Sequence, residues 1–145
     1  MTLTMSRGKR RLATLWFIGA AILFLLLVGQ STMGRFADRT TDAWSWFLPT
    51  IMPTLSLMIG VLVLDASQGK LKERTADGFL FRLTFGISIT YLLAVCAVLL
   101  LHPFSSMGPI ELMNQSNLWL GPLQGLVAAA LGAFFVKESG DSKSG

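Results

Sequence analysis

A chain of 145 residues that is 52 % apolar and only 14 % charged departs far from the roughly one-quarter charged composition of soluble domains. What polar chain it has is too short and too divided to build a soluble domain of ordinary size. The net charge of +4 raises a nucleic-acid reading, but the cations are scattered over separate segments without interleaved aromatics, so no nucleic acid is expected as a partner. The single cysteine, Cys96, excludes a disulfide framework or a cysteine-built metal site within one chain.

Four long apolar runs carry the sequence, each near the ~20 residues that cross a hydrocarbon core. The first, Leu12 to Val28, predicts a helix over about residues 12–30 and follows the basic leader Arg7, Lys9, Arg10 and Arg11. A leader of this kind also opens signal peptides. The apolar stretch is longer than a signal core, however, and Val28, Gly29, Gln30 and Ser31 do not give small residues at both cleavage positions, so a retained helix is expected. The second run, Trp46 to Leu64, predicts a helix over about 44–65, with Thr41 or Asp42 as its N-cap.

The third run, Phe79 to Leu101, predicts a helix over about 79–101 with Asp77 as cap. The fourth, Leu118 to Val136, predicts one over about 118–137. Between them, Gly108-Pro109 followed by Ile110, Glu111, Leu112 and Met113 predicts a short separate turn lying on the membrane. Asn114-Gln115-Ser116 matches the glycosylation pattern, which has meaning only in a eukaryotic source. Trp16, Trp44, Trp46 and Trp119 sit near helix ends, where indoles favour the headgroup zone. The fold class is thus an all-α membrane protein, a four-transmembrane-helix bundle forming one integral membrane domain over 1–145.

The cations sort by side. Arg7, Lys9, Arg10, Arg11, Lys70, Lys72, Arg74, Arg82, Lys137 and Lys143 fall on one face, leaving Arg35 and Arg39, offset by Asp38 and Asp42, on the other. The positive-inside rule places both termini in the cytoplasm of a bacterial inner membrane.

The halves resemble each other. Ser31-Thr32-Met33-Gly34 parallels Ser105-Ser106-Met107-Gly108, and Trp46 precedes Pro49 as Trp119 precedes Pro122. Asp65 and Glu138 stand alike near the ends of the second and fourth helices. Two tandem two-helix repeats, related by an axis along the membrane normal, would explain this. Small residues also share a spacing: Pro49, Pro53, Ser56 and Gly60 on the second helix, and Gly121, Gly125, Ala128 and Gly132 on the fourth. Such stripes permit close backbone approach, so these two helices are expected to pack against each other or against a neighbouring subunit. Gly86, Thr90 and Ala97 form a weaker ridge on the third.

Chemistry is sparse. Pro53 frees the carbonyl of Pro49, which Thr50, Thr54 or Gln124 could satisfy, and Gln124 is the most polar side chain within any run. Gln124, Thr50 and Thr54 are accordingly the candidate polar or ligand contacts, with packing as the competing role. Pro49 and Pro122 are expected near first helical turns, where proline costs little. Thr84, Ser88 and Tyr91 form a hydroxyl stripe, expected to bond back to carbonyls or to line a wet path. His102 has no partner of the kind acid–base work needs, and Asp65 pairs best with Arg82 or Lys70.

No span carries a central carboxylate, so a proton- or cation-coupled exchanger lacks its handle. The first helix also lacks the glutamate of small multidrug exporters. No catalytic, metal or cofactor motif is present. The sequence therefore points to a non-enzymatic assembly, anchor, sensor or accessory subunit, forming homo-oligomers or binding a membrane or cytoplasmic protein. An oligomeric channel or small-solute transporter with an outer-leaflet site near Gln124 is the alternative.

Overall fold

Helices form wherever an apolar run must satisfy its own backbone, because a helix closes every hydrogen bond within its segment. The computed structural model describes residues 5–67, 78–101 and 106–140. It contains α1 (Met5–Thr32), a short 3-10 turn (Ala37–Arg39), α2 (Thr40–Ser67), α3 (Gly78–Leu100) and α4 (Pro109–Gly140). All four α-helices are long and apolar enough to cross a membrane, which suggests an integral membrane protein. The proposed cap Asp77, together with His102, Lys70, Lys72, Arg74 and Lys143, lies outside the described residues, as do the side chains of Asp65, Lys137 and Glu138.

Two boundaries differ from expectation. The turn foreseen at Gly108–Met113 is not separate: α4 begins at Pro109 and runs on without a break. Pro109 occupies the first helical position, where its missing donor costs nothing. Ile110 and Met113 are buried against the bundle rather than lying on its surface. The Asn-Gln-Ser triplet consequently sits within α4, with Ser116 buried and its hydroxyl donating to the Met113 carbonyl at 2.6 Å. At α2, Asp42 lies inside the first turn and pairs with Arg39 at 2.9 Å instead of capping.

The early starts of α2 and α4 also place Pro49 and Pro122 deep inside their helices, not in first turns. Together with Pro53 they interrupt the hydrogen-bond ladder, a defect that neighbouring helices must compensate.

The helices form a ring in the order α1, α2, α4, α3, with the most extensive interface between α3 and α4 and the sparsest between α1 and α2. Gly8 of α1 lies against Phe81 of α3 and Phe134 of α4, and Gln30 of α1 reaches Leu99 of α3. Thus α1 and α3 run parallel, and α4 runs opposite to them. Corresponding helices of the two similar halves are neighbours in this ring. A twofold along the bundle axis would set them on opposite corners, so the expected axis is not the relation observed.

One core cluster draws on all four helices. At one end, Phe81 stacks on Phe85 at 5.6 Å and meets Phe134 at 6.1 Å. In the middle, Trp16 and Tyr91 lie 5.8 Å apart, both fully buried. At the far end, Phe24, Trp44 and Phe47 form an edge-on chain. Of the four indoles expected at headgroup level, Trp16 and Trp46 are therefore core residues, Trp44 is half-buried, and Trp119 faces outward. Their large apolar area outweighs the cost of burying an N–H, and the Nε1 atoms of Trp16 and Trp46 have no partner.

The α1–α2 link needs left-handed backbone at Gly34 (φ 70°) and at Ala37 (φ 47°). Gly34→Ala is expected to lower stability by about 1 kcal/mol, because a β-carbon disfavours that conformation. Gly29→Ala, on a helical backbone with open space around it, should instead gain up to about 1 kcal/mol. Unfolding titrations in mixed detergent micelles compare the two variants.

Candidate functional site

Polar side chains from α2, α3 and α4 meet at one seam of the bundle. Pro53 has no N–H, so the Pro49 carbonyl one turn earlier loses its helical donor. Gln124 of α4 supplies one: its Nε2 donates to the Pro49 carbonyl at 3.3 Å and lies 3.5 Å from the Thr50 carbonyl. From α3, the Tyr91 hydroxyl donates to the same Thr50 carbonyl at 2.8 Å. The Thr50 hydroxyl donates to its own helix, to the Trp46 carbonyl at 2.6 Å. Thr54 is buried one turn below. Gln124, Thr50 and Thr54 are thus gathered along one seam, and Tyr91 joins them.

The hydroxyl stripe of α3 lies wholly inside, with Thr84, Ser88 and Tyr91 all fully buried. Thr84 donates to the Leu80 carbonyl at 2.8 Å and lies 3.4 Å from the Ala130 carbonyl of α4. Tyr91 spans across to α2. The Ser88 hydroxyl has no partner. These hydroxyls serve the interior of one bundle, and Thr84 in particular returns its bond to the backbone.

Small residues behave in two ways. Those that mediate close approach are Gly8, where an added β-carbon would lie 3.2 Å from Phe134 and 3.3 Å from Phe81, and Gly19, where it would lie 2.8 Å from Leu92. Neither belongs to the stripes. Pro49, Pro53, Ser56, Gly60, Gly121, Gly125 and Ala128 are exposed, Gly132 is half-buried, and β-carbons built on Gly60, Gly121, Gly125 or Gly132 would meet nothing within 4 Å. The stripes therefore do not pack α2 against α4, which corrects that expectation within one chain.

Their placement follows from the seam. Thr50 and Gln124 mark the flanks by which α2 and α4 face each other. At about 100° per residue, each stripe lies roughly a quarter-turn further round, away from the core. Both project on the same outer side of the α2–α4 pair. Gly86 and Thr90, the weaker ridge on α3, also face outward, with Thr90 bonding to the Gly86 carbonyl at 2.9 Å.

Several contacts carry no obvious sequence signal. Lys9, in the basic leader, is 4 % exposed and sits over the Phe135 ring at 5.9 Å, a cation–π contact that a desolvated ammonium favours. Gln30 donates to the Leu99 carbonyl at 2.8 Å, one of the last carbonyls of α3 and so without a helical donor. A polar residue at the end of an apolar run was the available clue.

The described groups at the seam are amides, hydroxyls and carbonyls, suited to hydrogen bonding. Among the described residues no three His, Cys, Asp or Glu side chains gather where they could hold one ion. Tyr91→Phe is expected to cost about 1 kcal/mol, since it strands a short buried bond. Gln124→Leu should cost less than that, its bonds being longer and more exposed. Steric-trapping or detergent unfolding measurements rank the two, and the reverse order would contradict the geometry.

No family model, no characterised protein and no solved structure matches this chain.

Proposed function

We propose that this chain is a non-enzymatic, multi-pass protein of a bacterial inner membrane that assembles through its outward α2–α4 face and acts as an anchor, sensor or accessory subunit. Both termini lie in the cytoplasm, on the strength of the lysines and arginines concentrated in the leader, the middle segment and the tail. The observation that carries assembly is the pair of small-residue stripes on one side of the bundle, open to space where a side chain could have been accommodated. Helices in lipid gain little from hydrophobic burial and associate where backbones can approach. A second copy presenting the same face meets that need symmetrically, as a twofold dimer.

Transport through a path lined by Gln124, Thr50 and Thr54 has weaker support. The amide donor of Gln124 and the hydroxyl of Thr50 are already directed at α2 carbonyls, so a solute would have to displace internal bonds.

Crosslinking in native membranes tests the assembly. Wild-type protein should give dimers, and Gly125→Leu or Gly132→Leu should lower their yield about tenfold, the effect of losing about 1.4 kcal/mol of contact energy. Gly86→Leu, on the outward side of α3, should leave the yield unchanged. A wild-type protein that stays monomeric at every concentration would overturn the proposal.

A further inference from the structure

The face of the bundle opposite the α2–α4 stripes holds a recess of about 590 Å³ between α1 and α3. That volume falls within the ~300–1,000 Å³ of small-molecule sites. Its floor is set by Gly19 and Leu92, which approach closely because Gly19 has no side chain. Its walls are apolar along their length, with Ile18 and Leu93 exposed at the rim. Arg10 and Arg11 border the recess at one end, with Thr14 one turn further along α1, while nearly all of the lining surface is apolar. Both arginines are exposed, and among the described residues neither forms an ion pair.

The recess therefore has a cationic mouth and a hydrocarbon body. From Arg10 to Leu23 it extends about 20 Å along α1, at about 1.5 Å per residue. That is more than half of a ~30 Å hydrocarbon core. The mouth lies at the end of the bundle where the leader, the start of α3 and the later part of α4 meet, with Gly8 against Phe81 and Phe134. A guanidinium pair matches a phosphate with two donors from each plane, and basic pockets between transmembrane helices suit anionic headgroups.

We infer that the α1–α3 recess is a binding site for an anionic phospholipid, its phosphodiester at Arg10 and Arg11 and one acyl chain laid along the groove past Ile18 and Leu93 toward Cys96. Thr14, one turn above the arginines, stands at the depth of the glycerol ester. The site needs only a membrane-embedded bundle, not the assembly proposed above, and lies on the other side of the molecule from it.

Native mass spectrometry of the full chain in mild detergent tests the inference, with phosphatidylglycerol and phosphatidylcholine of identical chains as probes. Wild-type protein should retain phosphatidylglycerol about 30-fold more than phosphatidylcholine, as about 1 kcal/mol per surface cation implies. R10Q/R11Q should abolish the preference, and R10K/R11K should keep most of it. Leu93→Trp, at the exposed rim, should block retention of phosphatidylglycerol while circular dichroism stays unchanged.

Equal retention of the two lipids would overturn the inference. So would loss in R10Q/R11Q without loss in Leu93→Trp, since that reports headgroup attraction alone. Displacement of phosphatidylglycerol by millimolar inorganic phosphate would likewise show that the acyl chain contributes nothing. Dimer yield in the crosslinking experiment is not expected to change with R10Q/R11Q, so the two proposals fail separately.

Discussion

The structure depends most on what happens at two carbonyls of α2. Pro53 removes the donor that the Pro49 carbonyl would have had, in a helix with few other contacts to α1. Among apolar surroundings an unmet carbonyl is expensive, and Gln124 from α4 answers it at Pro49, while Tyr91 from α3 adds a second bond one residue on, at the Thr50 carbonyl. The break in α2 thereby becomes the place where three helices are joined by directional bonds. Without it, α2 would be held largely by apolar contacts, and those distinguish poorly between a neighbouring helix and lipid.

Shape supplies the rest of the specificity. Where α1 must come close to its neighbours, glycine lies at the contact: Gly8 beneath Phe81 and Phe134, Gly19 against Leu92. Large aromatic side chains then fill the space at three levels, from Phe134 through Trp16 and Tyr91 to Phe47. The core keeps two indole N–H groups and the Ser88 hydroxyl without partners. The apolar area that these large rings bury outweighs the hydrogen bonds given up there.

The number and approximate extent of the helices were legible because twenty-residue apolar runs have few other uses. That the Pro49 carbonyl needs a new donor was legible too, since the rule that proline frees a carbonyl one turn back needs no tertiary knowledge, but the choice of Gln124 over Thr50 or Thr54 was not. Boundaries were not. Residues 109–117 look like a loop by composition, with Glu111, Asn114, Gln115 and Asn117, yet they continue α4 because Ile110, Met113, Ser116 and Leu120 recur on one buried face. The role of small residues was misassigned for a related reason. A stripe of glycines shows that close approach is possible but not which neighbour takes it up. Gly8, hidden among arginines and a lysine, gave no pattern at all. Trp16 and Trp46 were placed at the interface by their amphipathic character, but the same ring area serves equally well inside.

The uneven packing around the ring bears on how such a bundle is held together. The extensive α3–α4 interface carries the Phe81–Phe134 contact and the Thr84 link to Ala130. The first hairpin is joined through Phe24 and Trp44 and a link that needs left-handed backbone at two positions. Its helices gain their firmest contacts from the second hairpin: Gly19 on Leu92, Gln30 on Leu99, Thr50 under Tyr91. Hence α3 acts as the template, touching α1 along its length and reaching α2 through one tyrosine. Two sequence-similar halves need not contribute equally. Once Tyr91 and Gln124 meet the α2 carbonyls, the first half can be loosely closed on itself and still be fixed in place, with its own outer surfaces left available.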